Sequence, residues 1–158
     1  MGISIAKIRR LNCVRLVSKI DDAVDHEASD WDLYSKDPVM NESALKFLSD
    51  KKPTVFVCNF ELSAKDNSKI QDSMLSGLDD DKQPKISVGA WSLAVARYTL
   101  KGIENPQGTV APIDFKVDSR GYASDETLNI LQKAGIISEI FNAYLTLTQS
   151  GVEQNAKK

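Results

Sequence analysis

The chain has 158 residues, the size of one domain at about 100–200 residues each. Hydrophobic residues make up 42% and charged residues 27%, a soluble globular composition that excludes wholesale disorder. With a formal net charge of -2 and no apolar run near the roughly 18 residues of a membrane span, neither a polyanion-binding field nor a transmembrane segment is expected.

The opening MGISIAKIRRLNCVRLVSKI contains Lys7, Arg9, Arg10, Arg15 and Lys19 and no acid, as transit peptides do, but it is poor in serine and not clearly amphipathic. Ala6 stands where myristoylation of a Met-Gly terminus needs Ser or Thr. A reduced, intracellular compartment is the simplest expectation. Within the stretch, CVRLVSKI is rich in β-branched residues and predicts a strand. The acidic DDAVDHEASDWDLYSKDPVMNES that follows has loop composition. It predicts an irregular exposed segment pinned by Trp31, with its charge neutralising the basic half intramolecularly.

SALKFLS and PTVFVCNFEL flank the polar DKK and predict a hairpin with a short loop. In the second arm, Val55 and Val57 point one way while Phe56, Cys58 and Phe60 point the other. Apolar groups on both faces make this a central strand. Ser63 reads as the N-cap of a helix reaching about residue 78, with Ile70, Met74, Leu75 and Leu78 as its apolar stripe. After the DDDK turn at 79–82, Ser87 opens a second, largely apolar helix that is expected to be buried and to stop at Gly102. ENPQGTVAP reads as a loop and IDFKV as a short strand. Ser124 caps DETLNILQKA, Gly135 closes that helix, and GIISEIFNAYLTLTQ forms the last one. The expected fold is α+β: a small antiparallel sheet or N-terminal hairpin packed on a C-terminal bundle of about four helices. Residues 1–150 form one globular domain whose first fifty residues are partly irregular, and residues 151–158 form a flexible tail.

Chemistry-bearing motifs are sparse. The one histidine, His26, stands among carboxylates in DHEASDWD, the sharpest candidate for a metal site or an acid/base pair. That segment lacks calcium-loop spacing, and a solvated loop histidine is the plainer reading. DDDK is a charged turn before it is a cation patch. No Gly-x-Ser-x-Gly or phosphate-binding glycine pattern occurs, and no catalytic, cofactor-binding or metal residue is assigned. Cys13 and Cys58 lack metal or redox spacing and read as buried thiols within strands. Trp31 and Trp91 read as core or anchor residues.

The succession PTVFVCNFELS, a helix, RYTLKGIEN and SDETLNILQKAGIISEIFNAYLTLTQ resembles small tail assembly proteins of tailed bacteriophages, of the tail assembly chaperone type. The likeness covers residues 52–150, with Arg97, Gly102, Gly135 and Glu139 as landmarks. It implies a non-enzymatic protein that binds the tape-measure or tail-tube protein in the cytoplasm of the infected bacterium. Nucleic acid and membrane are not implied as partners, and a homo-oligomer stays open. Two alternatives remain: a structural or accessory protein of the virion, and a small metal-dependent enzyme or metal-binding protein centred on His26.

In a helical projection of 136–149, Ser138, Glu139, Asn142, Thr146 and Gln149 share one narrow side. The apolar remainder spans roughly 200°, where a surface helix needs a stripe of about 100° or somewhat more. Packing on the Trp91 helix covers part of it. Phe141, Leu145 and Thr148 are the expected partner-binding face.

Overall fold

The computed structural model describes residues 10–78, 84–106 and 113–156. Lys7, Arg9, the DDDK turn and most of the loop expected at 104–112 lie outside these residues. The fold is α+β. Strands β1 (Val14–Val17), β2 (Val55–Cys58) and β5 (Leu100–Glu104) form an antiparallel sheet with β2 in the middle, as its two apolar faces require. Leu16 lies opposite Phe56, which lies opposite Ile103. A separate ribbon pairs β3 (Leu75–Leu78) with β4 (Pro84–Ile86). The helices are α1 (Trp31–Lys36), α2 (Ala64–Met74), α3 (Val88–Thr99), α4 (Asp125–Lys133) and α5 (Ile136–Ala156).

Three of the helix starts share one local chemistry. Ser63, Ser87 and Ser124 are extended, and each side chain accepts a first-turn N–H, from Asp66, Ala90 and Thr127. Gly135, at φ +78, makes the left-handed turn between α4 and α5 that a side chain would strain. One core unites the elements: Val14, Leu16, Phe56 and Cys58 of the sheet meet Val95 of α3, Leu128 and Leu131 of α4, and Ile136, Ile140 and Leu147 of α5.

Several expectations are corrected. SALKFLS is not a hairpin partner of β2, because β1 and β5 already occupy both edges of that strand. It leads instead out of a 3-10 turn at Glu42–Ala44 and makes one bridge, Val24 to Phe47. Helix α2 ends at Met74, since Leu75 turns extended to pair with Ile86. Helix α3 is buried at Ala94, Val95, Ala96, Tyr98 and Thr99 but exposed at Val88, and it runs straight into β5; Gly102 lies in that strand opposite Val57. IDFKV forms no strand, because the N-terminus of α4 satisfies its backbone. The Lys116 N–H donates to Thr127 Oγ1 at 2.8 Å, and the Lys116 carbonyl accepts from the Ser124 N–H at 2.9 Å. Helix α5 extends through Ala156, into the segment 151–158. Cys13 is exposed. Cys58 is buried, and burial pushes its thiol up to about 12 against an opposing hydrogen bond with Thr99, which leaves it an inert core residue.

The acidic run is also more ordered than its composition suggests. Asp21, Asp25, Asp30 and Asp37 each accept backbone N–H groups two or three residues ahead, the local geometry that short carboxylates favour. Asp21 goes further: it is fully buried and also accepts from Thr54 at 2.9 Å, tying this segment to the start of β2. Arg15 pairs with Glu104 of β5 rather than with an acid of this run.

Candidate functional site

The end of β1, helix α1 and helix α5 enclose an open cleft of about 180 Å³. Ile136, Ile140 and Ala143 recur on α5 at helical spacing and form an apolar wall with Leu16 and Phe56. Across from them stand Trp31, Tyr34 and Ser35 of α1. The polar strip of α5 lines the same cleft through Glu139, Asn142 and Thr146. Periodicity separates these residues from the apolar face but does not say what they meet.

Glu139 is half-buried and anchored through one oxygen. Its Oε1 accepts from Ser18 Oγ at 2.9 Å and from the Lys19 N–H at 3.3 Å. Burial raises its carboxyl above the ordinary value, outweighing those two hydrogen bonds and the Lys19 charge. Tyr34 accepts the Val17 N–H through its hydroxyl at 3.2 Å, and burial pushes that phenol up to about 12. Helix α1 starts because Asp30 accepts the Leu33 N–H, and this places both aromatic rings toward α5.

His26 has a positioning role in this arrangement. Its Nδ1 accepts from Trp31 Nε1 at 3.0 Å, and the two rings stack with centroids 6.0 Å apart. Trp31 in turn meets Tyr34 edge-on at 5.4 Å. Among the described residues, no three His, Cys, Asp or Glu side chains are grouped closely enough to hold a metal ion.

Glu139 supplies a pH-dependent expectation. The folded carboxyl holds its proton more tightly than the unfolded one, so the native state binds more protons and stability falls as pH rises. The contribution is whole below the unfolded value of about 4.3 and is lost as pH climbs through the raised folded value. Glu139→Gln should therefore gain melting temperature relative to the parent chain between about pH 4 and pH 7. A difference that stays flat over this range would contradict the assignment.

The expected partner face on α5 is only partly available. Phe141 is 7% exposed and packs edge-on against Trp91 at 4.9 Å, so it belongs to the core. Leu145 is half-buried against that core. Thr148 is half-buried too and returns its hydroxyl to the Tyr144 carbonyl at 2.6 Å. Larger apolar exposure lies on the ribbon, where Leu75 and Ile86 are directly opposed and 48% and 61% exposed. Val88, two residues on, is equally open. A helix-period reading places Leu75 in the apolar stripe of α2 and stops short of Ile86, so their pairing leaves no signal in it.

The remaining landmarks are structural. Arg97 donates to the Ala123 carbonyl at 3.1 Å and pairs with Asp118 and Asp125, fastening the loop before α4 to α3. Desolvation pushes the Asp118 carboxyl up, but N–H donors from Tyr122 and Arg120 and the nearby guanidinium groups outweigh it and hold it low.

No family model matches the chain, and no match is found among curated proteins or solved structures. Among the described residues, no helix is long and apolar enough to cross a membrane.

Proposed function

We propose that this chain is a non-catalytic binding protein of bacteriophage tail assembly, working in the host cytoplasm on the tape-measure or tail-tube protein. The observation that carries the binding role is the ribbon, with the exposed, directly opposed Leu75 and Ile86 and the neighbouring Val88. A two-stranded ribbon is marginal by itself and its outer edges are templates for a further strand. Exposed apolar groups at such an edge favour a polypeptide partner over a small solute. The tail context rests on the resemblance over residues 52–150.

Immobilised protein should retain tape-measure or tail-tube protein, and Ile86→Asp should weaken that binding by about tenfold or more, since a charge would be desolvated at the contact. Equal binding by the Ile86 variant would overturn the ribbon as the contact. Presence of the chain in purified virions without binding to either protein would favour a structural role there. Loss of a measurable turnover or a stoichiometric metal signal in His26→Ala would overturn the non-catalytic reading.

A further inference from the structure

The cleft at Glu139 has a chemistry the ribbon lacks. Both hydrogen bonds that Glu139 receives from the protein end on Oε1, which fills that oxygen's two acceptor positions and leaves Oε2 without a protein donor among the described residues. Around it the walls are aliphatic and aromatic: Trp31, Tyr34, Ile136 and Ile140. An apolar enclosure with one open carboxylate oxygen complements a group that has a hydrocarbon stem and a cationic tip.

The volume narrows the occupant. Sites for drug-sized ligands run to about 300–1,000 Å³, whereas this cleft holds about 180 Å³, a size suited to one side chain. At the rim, the exposed Ser35 and Asn142 offer a hydroxyl and a carboxamide to a peptide group outside. A single open oxygen suits the point charge of an ammonium, while a guanidinium makes its preferred forked contact with two.

We infer that the cleft receives a lysine side chain of a partner polypeptide, with the ammonium on Glu139 Oε2 and the methylene stem against Trp31 and Ile140. The charged groups facing it are Glu139 and Lys19. Lys19 lines the cleft and lowers the proton affinity of Glu139 through its charge, but makes no salt bridge with it. The incoming ammonium meets an anion that the chain has anchored but not neutralised. This site extends the protein-binding reading and rests on it only for the polypeptide that supplies the lysine.

The test follows the Trp31 indole N–H signal by NMR on the full chain, assigned with Trp31→Phe. Titration with n-butylammonium should shift it saturably. The neutral n-pentanol, and n-butylammonium added to Glu139→Gln, should bind about tenfold more weakly, because the charge-assisted contact is gone. The glutamine variant keeps an oxygen that accepts from Ser18 and Lys19, so its fold is retained. The guanidinium probe n-propylguanidinium should bind more weakly than n-butylammonium, and an acetylated glycine peptide with one central lysine should bind at least as tightly.

No saturable shift with n-butylammonium, equal binding of n-pentanol, or unchanged binding by Glu139→Gln would overturn the site. Equal or tighter binding of the guanidinium would overturn the choice of lysine. A peptide that fails where n-butylammonium succeeds would overturn the polypeptide source in favour of a free amine. Ile86→Asp should leave every shift intact, so failure at the ribbon and failure at the cleft are separable.

Discussion

Phe56→Ala is expected to destabilise the chain by about 3–5 kcal/mol, the usual range for emptying a buried phenylalanine site. Phe56 is 1% exposed at the centre of the middle strand, between Leu16 and Ile103 on its neighbours. A domain of this size has about 5–15 kcal/mol in total, so the variant would lie near its threshold. Denaturant unfolding should show a lowered midpoint with an unchanged slope. Arg15→Ala, on the exposed face of β1, removes the pair with Glu104, whose partners are both about half-exposed. Solvent screening limits that loss to about 1 kcal/mol or less. Were the two variants equally destabilised, the placement of the core on the Phe56 face would be wrong.

Asp21→Ala should cost about 2–6 kcal/mol for a different reason. Its carboxylate accepts the Ala23 N–H and the Thr54 N–H, each at 2.9 Å, and all three residues are fully buried. Truncation leaves two buried donors without an acceptor, at about 1–3 kcal/mol each. Asp21→Asn keeps one acceptor oxygen and should lose less. Amide hydrogen exchange at Thr54 reports the break directly: it should accelerate in the alanine variant well beyond the change at amides in α4. Unaltered protection at Thr54 would show that the Asp21 contact does not hold the segment to the sheet.

Both variants bear on what could be read in advance. Phe56 was legible: PTVFVCNFEL has apolar groups on both faces, and a strand so constituted must be covered on both. Asp21 was not. It begins an acidic stretch that composition assigns to solvent, and nothing within several residues reveals that Thr54 will stand beside it. The short carboxylates at Asp25, Asp30 and Asp37 could have been recognised as turn and cap acceptors, since their donors lie within three residues.

Periodicity misplaces the ends of α2 and α3 for a related reason. Leu75 continues the apolar stripe of α2, and Leu100 that of α3, so periodicity extends both helices. What stops them is cross-strand pairing, of Leu75 with Ile86 and of Leu100 with Cys58. Pairing also explains the mistaken hairpin: a period of two marks a strand but does not name its neighbour. At the candidate site, the helical projection puts Glu139, Asn142 and Thr146 on one side of α5, where they line the cleft, and Phe141 on the other, where it packs against Trp91.

By itself the sequence determined the α+β class, the caps at Ser63, Ser87 and Ser124, the turn at Gly135 and the central position of β2. Each depends on atoms within a few residues of one another or on the alternation of a single strand. Tertiary structure alone decided which strands pair, where Asp21 goes, and that Glu139 meets Ser18, 121 residues away. Such contacts depend on bringing distant segments together, and loop closure depends on the chain as a whole, not on any short stretch of it.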